Sequence, residues 1–374
     1  MRVHKLGLTD FRNYETLDVE FSDGTNVLIG QNGQGKTNVV EAIAYLATFS
    51  SHRVAGDAAL VRAGCERAVI RSAVTHEERT VSLDVQINPG AANRVQVNRS
   101  PMRRMRDALG IVRAVMFAPE DLSLVKGDPA ARRRFLDQLL VQRTPRYAAV
   151  IADYEKSLKQ RNSLLRSASK STSAADRDLL HSTLDVWNDR LVEFGSDLVA
   201  GRTELLQDLV SPVREAYAGL TPSRNAVSLN YRRSRIEEEA NDQEEVAEQM
   251  RKALSEVAGE EMARGVTVLG PHRDDVELEL NALPARGYAS HGESWSFALA
   301  LRLASYRLLQ AAFDNDPVLI LDDVFAELDQ QRRAMLAQFC TDQPGQVFVT
   351  AAVASDVPES VSGVTFFVDS GSIG

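Results

Sequence analysis

The sequence predicts an α/β fold that is interrupted by a helical insertion. Short apolar strands occupy the first third of the chain, long helical patterns occupy the middle, and short strands return from Val266 onward. A glycine-rich loop stands between an early strand and a helix. We therefore expect residues 1–118 and 264–374 to form one discontinuous α/β domain, the head, and residues 119–263 to form an inserted helical arm.

The composition excludes several classes of protein. With 44% hydrophobic and 25% charged residues, the 374-residue chain is neither disordered nor fibrous. Its two cysteines form no C-x-x-C motif, which argues against a disulfide framework or a zinc site. No long apolar run is present, so we expect no membrane span, no secretory signal and a cytoplasmic location. The net charge of -9 argues against indiscriminate binding of polyanions but leaves local basic patches open.

The N-terminal elements lead directly into a phosphate-binding motif. Alternating apolar residues predict two strands before the turn at Asp23 and Gly24, and residues 26–29 predict a buried strand. The next residues match G-x-x-x-x-G-K-[ST], and a helical pattern follows them. The predicted nucleotide-binding residues of this P-loop are Gly30, Gln31, Asn32, Gly33, Gln34, Gly35, Lys36 and Thr37. Backbone amides of the loop would surround phosphate, Lys36 would reach the β and γ phosphates of ATP, and Thr37 would bind Mg²⁺.

The middle of the chain predicts an antiparallel helical hairpin. One apolar stripe at helical spacing runs from Tyr147 to Leu165 and is interrupted by Arg161, and a second runs from Leu180 to Leu198. A serine-rich stretch, residues 166–178, would provide the turn between the two helices. Two helices of an ordinary bundle are the alternative interpretation.

A second half of the nucleotide site is predicted near the C-terminus. Residues 318–321 form an apolar strand that ends at Asp322 and Asp323, so Asp322 is the candidate Mg²⁺ ligand and Asp323 the candidate group that polarises the attacking water. Glu327 is a further catalytic candidate. The alternative is a pair of aspartates that caps a helix. A separation of 286 residues between Lys36 and Asp322 exceeds what a compact kinase or GTPase requires.

Between these halves lies a segment that is similar to the signature of ABC-type ATPases. Ser290 and Gly292 precede a helix 32 residues before Asp322, and Asp329 follows in a segment that resembles a D-loop. In that class the signature receives the γ-phosphate of a nucleotide that is bound to the other subunit. We therefore expect an ATP-dependent homodimer in which Ser290, Gly292 and Asp329 complete the partner's site.

Two basic segments suggest contacts with DNA phosphates. Residues 92–113 contain six arginines against one aspartate, and residues 126–146 contain six basic residues against two acidic ones. Such groups bind duplex phosphates without reading sequence, and few aromatic residues are present for stacking on single strands. Ordinary solvated arginines are the alternative. The DNA-binding candidates are Arg103, Arg104, Arg106, Arg132, Arg133 and Arg134.

Nearly the whole chain resembles the RecF family of DNA-repair ATPases, which are related to SMC heads. The similar segments are DFRNYETLDVEF, GQNGQGKTNVVEAIAYLATFSSHR, FAPEDLSLVKGDPAARRRFLD, GPHRDD, YASHGES and LILDDVFAELD. The resemblance implies an ABC/SMC-type P-loop ATPase head with an inserted helical arm. It also implies an ATP-dependent dimer that binds double-stranded, gapped or junction DNA, acts with RecO and RecR in loading the recombinase, and supports the SOS response and replication restart.

Several residues depart from the ABC pattern. Glu293 stands where many signatures end in glutamine, Asp323 stands where the catalytic glutamate is usual, and Thr350 stands where transporters have a switch histidine. We therefore expect slow, DNA-stimulated ATP hydrolysis. No Q-loop glutamine is identifiable, and Glu120 and Asp121 are the nearest candidates.

Three other functions are alternatives to the one that the resemblance implies. A transporter ATPase subunit would lack the helical hairpin, and a chromosome-structuring SMC protein would have a far longer arm. A DNA-binding scaffold with an inactive ATPase fits the departures at Asp323 and Glu293.

The GPHRDD motif, residues 270–275, has two interpretations. We expect His272 and Arg273 to pair with the two following aspartates and fix a turn. Direct contact with DNA is the alternative.

Overall fold

The computed structural model describes residues 1–54, 56–76, 79–168, 174–221, 225–240, 242–342 and 345–374. The strands are β1 (Arg2–Phe11), β2 (Tyr14–Glu20), β3 (Thr25–Ile29), β4 (Ala68–His76), β5 (Arg79–Ile87), β6 (Arg94–Val97), β7 (Ser100–Pro101), β8 (Ala114–Phe117), β9 (Val227–Arg232), β10 (Asp275–Leu280), β11 (Leu283–Pro284), β12 (Val318–Asp322), β13 (Val347–Ala351), β14 (Val364–Asp369) and β15 (Ser372–Ile373). The α-helices are α1 (Lys36–Thr48), α2 (Leu122–Lys126), α3 (Pro129–Arg143), α4 (Tyr147–Ala168), α5 (Ala174–Leu220), α6 (Gln243–Arg264), α7 (Ala285–Tyr288), α8 (His291–Phe313), α9 (Val324–Glu327) and α10 (Gln330–Asp342). Within the described ranges, no helix has the length and apolar character of a membrane span.

The chain divides into two compact units. The head unit contains Met1–Lys126, Ser211–Ala226 and Tyr288–Gly374, and the arm unit contains Gly127–Val210 and Val227–Gly287. The predicted divisions lay after residues 118 and 263, so residues 119–126 and 211–226 fall in the head unit and residues 264–287 in the arm unit. Long-range contacts explain the difference, because Asp121 pairs with Arg302 of α8, Tyr217 packs against Phe297 of α8, and β10 pairs with β9.

The head unit contains two six-stranded sheets. One is antiparallel, in the order β2-β1-β4-β5-β6-β7, and the other has the order β15-β14-β3-β13-β12-β8, with β14, β3, β13, β12 and β8 parallel. The sheets share one apolar core. Phe21, just after β2, packs edge-on against Phe348 of β13 and Phe366 of β14. Because β3 lies inside the parallel sheet, the loop after it emerges at the carboxyl edge, where such sheets bind ligands.

The arm unit contains the predicted helical hairpin. Arg161 of α4 donates from Nε to Asn188 Oδ1 of α5 at 2.7 Å. About two and four turns closer to the N-terminus of α4, Tyr154 and Tyr147 lie against Gly195 and Gly201 of α5. The contacting residues of α5 have increasing numbers as those of α4 decrease. The two helices are therefore antiparallel, as predicted. The linking residues 169–173 of the serine-rich stretch, and the side chain of Leu180, lie outside the described residues.

The arginine that interrupts the first apolar stripe is buried. Arg161 donates to Glu261 Oε2 at 2.5 Å and to Thr267 Oγ1 at 2.8 Å, and its side chain is 4% exposed. A buried guanidinium requires such partners because the desolvation of an unpaired charge is costly. The interruption of the stripe is therefore a satisfied ion pair that links α4 to α6.

Candidate nucleotide-binding site

The P-loop joins β3 to α1 and has the backbone geometry that its glycines allow. Gly33 and Gly35 have φ values of +85° and +121°, which side chains with a Cβ rarely adopt. A Cβ on Gly35 would also lie 2.6 Å from the hydroxyl of Tyr14. The motif's glycines are thus required by conformation and by space as well as by the phosphate that the loop would surround.

Lys36 lies across the inside of the loop. Its Nζ donates to the carbonyl of Gly30 at 2.5 Å and to that of Gln31 at 3.1 Å. Burial lowers the pKa of Lys36, while the nearby Asp323 and Asp322 raise it. A phosphate chain bound in the loop would replace the two carbonyls as the partner of this ammonium group.

Thr37, Asp322 and Thr350 converge at the same edge of the sheet. Asp322 Oδ1 accepts hydrogen bonds from Thr37 Oγ1 at 2.9 Å and from Thr350 Oγ1 at 2.7 Å. The parallel register of β12 and β13 places Asp322 opposite Thr350. Burial raises the pKa of Asp322, and the hydrogen bonds from Thr350 and Thr37 partly offset this effect.

A hydroxyl and a carboxylate in contact are suitable ligands for Mg²⁺. This ion is usually bound by one or two carboxylates together with waters and substrate phosphates. In the described part of the chain, no group of three or more His, Cys, Asp or Glu side chains forms a self-contained metal site. The residues present therefore fit a Mg²⁺ ion that arrives with a nucleotide.

Asp323 does not behave as a helix cap. It precedes α9, but its side chain makes no capping hydrogen bond. Its φ of +55° is uncommon for a residue other than glycine, and its backbone N–H donates to Thr350 Oγ1 at 2.9 Å. The Thr350 hydroxyl therefore bonds to both aspartates: it donates to the Asp322 carboxylate and accepts from the Asp323 backbone. The capping alternative for the aspartate pair is not supported by this geometry.

The predicted signature is the first turn of α8. Ser290 caps the helix by accepting from the N–H of Glu293 at 3.2 Å, and Glu293 accepts from the N–H of Ser290 at 2.9 Å. This capping box lowers the pKa of Glu293, first of all through the hydrogen bond from the Ser290 backbone. Asn225 also donates to Glu293 at 2.9 Å. The departure at Glu293 thus has a structural role, which the sequence motif did not reveal.

Arg332 connects the predicted D-loop with the signature helix. It forms an ion pair with Asp329 and donates from Nε to Ser296 Oγ of α8 at 2.7 Å. A Cβ on Gly292 would lie 2.9 Å from Arg332 Nη2. Among the residues that the structure describes, no hydrogen bond joins this second cluster to the P-loop. Sequence analysis did not identify Arg332, because nothing in its local pattern distinguishes it from a solvated arginine.

The candidate DNA-binding arginines differ in exposure. Arg103, Arg104 and Arg134 are exposed, and Arg106 is half-buried. Arg133 is also half-buried and donates to the carbonyl of Asp274 at 2.7 Å.

Arg132 is a correction to the predicted DNA-binding set. Its side chain is 7% exposed and pairs with Asp275 at 2.7 Å, and it also donates to the carbonyl of Gly127. Its charge is therefore already neutralised inside the arm unit. We assign Arg132 a structural role and not a contact with phosphate.

The backbone of the GPHRDD segment forms a turn, in which the Arg273 N–H donates to the Gly270 carbonyl at 2.8 Å, but its side chains pair with residues outside the segment. Tyr154 and His272 Nδ1 are 2.7 Å apart, and Asp274 accepts from Tyr231 at 3.0 Å. Asp275 pairs with Arg132. Burial lowers the pKa of His272 to about 4. The expectation that His272 and Arg273 pair with the adjacent aspartates is wrong, because His272 contacts Tyr154 of α4 and Arg273 lies near the carbonyl of Thr267.

Comparisons with known proteins agree with this architecture. The family model for the RecF/RecN/SMC N terminal domain matches residues 2–369. The DNA replication and repair protein RecF of Streptomyces avermitilis is 51% identical over 374 residues, which are 100% of this chain and 99% of that protein.

Solved structures lead to the same family. The recombination mediator protein RecF-ATPrS in the RecFOR pathway matches with a TM-score of 0.89 and 26% identity, over 100% of this chain and 97% of that one. The Smc head domain from Pyrococcus furiosus matches with a TM-score of 0.53 and 17% identity, over 99% and 94% of the two chains, and this likeness shows the fold alone. The prediction of an ABC/SMC-type ATPase head with an inserted helical arm is confirmed, and the chain belongs to the RecF family.

Proposed function

We propose that the protein is an ATP-dependent DNA-binding protein of DNA repair and replication. The observation that carries this proposal is the convergence of the P-loop with Thr37, Asp322 and Thr350 at one edge of the parallel sheet. The names of the similar proteins, which describe DNA replication and repair and a RecF bound to a nucleotide, support the same function. A cytoplasmic location, where the bacterial chromosome lies, follows from this role.

The ATP site would consist of residues 30–37, with Mg²⁺ held by Thr37 and Asp322. Bound Mg²⁺ would neutralise charge on the β and γ phosphates. Lys36, whose Nζ bonds to the carbonyls of Gly30 and Gln31, would bind the same phosphates from inside the loop. Asp323 is the candidate to orient the attacking water, with Glu327 as the second candidate.

The same geometry supports slow hydrolysis. Asp323 is one methylene shorter than the glutamate that ABC-type ATPases usually have at this position. Thr350 donates its only hydroxyl hydrogen to Asp322 and is neutral, so it gives the γ-phosphate less help than a switch histidine would. We therefore propose a weak ATPase that is stimulated by DNA and whose nucleotide state determines how long the protein stays on DNA.

A head-to-tail homodimer would complete each site. Ser290 is exposed at the N-terminus of α8, where free backbone N–H groups favour an anion. We propose that Ser290, Gly292 and Asp329 of one chain bind the nucleotide held by residues 30–37 of the other. ATP would then stabilise the dimer.

DNA binding is assigned to the candidate arginines other than Arg132, of which three are exposed and two are half-buried. Arg103, Arg104 and Arg106, together with Arg133 and Arg134, would contact duplex phosphates without reading sequence. Double-stranded, gapped or junction DNA is the proposed ligand. RecO and RecR are the proposed partners in recombinase loading and in the SOS response, in line with the RecFOR pathway that the solved RecF structure names.

The second candidate is a DNA-binding scaffold that binds ATP without hydrolysing it. Two observations favour this candidate: aspartate replaces the usual glutamate at position 323, and the Thr350 hydroxyl is already bonded to Asp322 and Asp323. ATP turnover, measured with and without duplex DNA, separates the two candidates. The proposed function predicts slow turnover that rises with DNA, and Lys36→Ala should lose ATP binding. ATP affinity unchanged in the folded Lys36→Ala variant would contradict the assignment of the site.

A further inference from the structure

The chain forms a tight turn beside the P-loop, between β14 and β15. The paired residues Asp369 and Ser372 flank the two central residues, Ser370 and Gly371. These have φ values of +48° and +81°. Positive φ at both central positions defines a two-residue type I′ turn, in which the amides of the central residues take no part in the ladder between the strands.

Both of these amides donate to Gln34, a residue of the P-loop. The N–H of Ser370 lies 2.6 Å from Gln34 Oε1, and the Ser370 hydroxyl lies 3.2 Å from the same atom. The N–H of Gly371 donates to the backbone carbonyl of Gln34 at 3.3 Å. Asn13, between β1 and β2, donates to that carbonyl as well, at 3.0 Å.

These contacts fix the orientation of one peptide group in the loop. The carbonyl of Gln34 and the N–H of Gly35 belong to the same planar trans peptide, so they point in opposite directions. Two donors outside the loop hold the carbonyl outward, and the N–H of Gly35 must then point to the inside, where phosphate would bind. The turn therefore acts on a donor that a phosphate would use.

The same hairpin also packs closely against Gly30, the first residue of the P-loop. A Cβ on Gly30 would collide with the carbonyl oxygen of Val368, in β14. The hairpin thus contacts the P-loop at Gly30 and at Gln34. Lys36 follows shortly after Gln34 and bonds back to the carbonyls of Gly30 and Gln31.

We propose that the turn Asp369–Ser372 is a positioning element of the nucleotide site, which holds the Gln34 carbonyl outward and so presents the Gly35 N–H to a phosphate group of the nucleotide. This inference rests on the proposed ATP binding. It adds residues from the far end of the sequence to a site that the P-loop motif alone describes.

The test is calorimetric titration of the full-length chain with ATP. Ser370→Pro removes the amide and cannot adopt a positive φ, so ATP should bind at least about ten-fold more weakly. Ser370→Asn keeps the amide, and asparagine tolerates positive φ. This variant should therefore bind ATP with an affinity within about two-fold of the parent's. Gln34→Ala removes one acceptor without touching the turn and should weaken ATP binding by about two- to ten-fold.

A purely structural role would lower the thermal unfolding midpoint of the nucleotide-free variants without changing the affinity of the folded protein. If the parent binds ATP, Lys36→Ala does not, and both Ser370→Pro and Gln34→Ala bind like the parent, the positioning role is overturned while the proposed function stands. If Ser370→Pro does not fold, the result with Gln34→Ala decides. Failure of the parent itself to bind ATP would remove both proposals.

Discussion

Thr350→Val should damage the nucleotide site more than its small change in shape suggests. The hydroxyl donates to the carboxylate of Asp322, which is 3% exposed, and accepts from the N–H of Asp323. Valine keeps the volume but leaves both groups without this partner. A hydrogen bond to a charged group contributes about 1.5–3 kcal/mol, so we expect a loss of stability of about 2–4 kcal/mol at neutral pH.

The loss of stability in Thr350→Val should depend on pH, because it acts through the ionised form of Asp322. Burial already raises the pKa of Asp322, and losing the hydrogen bond from Thr350 should raise it further. Because the folded pKa is raised, ionisation of Asp322 opposes folding as pH rises. The stability deficit of the variant should therefore be largest at neutral pH and should shrink as the carboxyl becomes protonated at low pH.

Binding of Mg²⁺ with ATP provides the matching functional measurement, because a proton on Asp322 competes with the metal. As pH falls, affinity should begin to weaken at a higher pH in Thr350→Val than in the parent. Thr203→Val is the matched control, since the Thr203 hydroxyl donates to the carbonyl of Val199 in its own helix. Identical pH profiles for the parent and Thr350→Val would refute the reasoning.

Three further variants test separate parts of the account. Asp323→Asn should keep ATP binding but slow hydrolysis by about 10²- to 10⁴-fold in a phosphate-release assay, and turnover equal to that of the parent would show that another group orients water. Reversing the charges of Arg103, Arg104 and Arg106 should weaken duplex binding and reduce the slope of log affinity against log salt by about 3, whereas an unaltered slope would place the DNA surface elsewhere. Arg132→Ala should cost about 3 kcal/mol in urea unfolding because it leaves a partly buried carboxylate unpaired, and a variant with normal stability but reduced salt dependence of DNA binding would restore Arg132 to the DNA surface.

The parts of the fold and site that the sequence predicts well are those encoded locally. The P-loop, the strand ending at Asp322 and the helix capped by Ser290 each lie within a few consecutive residues, so motif and periodicity suffice to find them. The hairpin follows from two apolar stripes for the same reason.

The remaining features depend on contacts between distant residues. Arg132 occurs in a run of three arginines, and only its ion pair with Asp275 distinguishes it from the exposed Arg134. Nothing near Thr350 in the sequence indicates that its hydroxyl bonds to the two aspartates. These bonds arise from the register of the parallel strands β12 and β13. The predicted unit boundaries are wrong for the same reason, because strand pairing, ion pairs and ring contacts with distant residues assign residues 119–126, 211–226 and 264–287.

Sedimentation of the protein with and without ATP tests the central claim, that the nucleotide joins two chains through the P-loop of one and the signature of the other. The parent should be a monomer without ATP and a dimer with it. Ser290→Arg should still bind ATP, because its own P-loop is untouched, but should remain a monomer, since a bulky cation replaces the residue that caps α8. A Ser290→Arg chain that dimerises with ATP as the parent does would contradict the composite site.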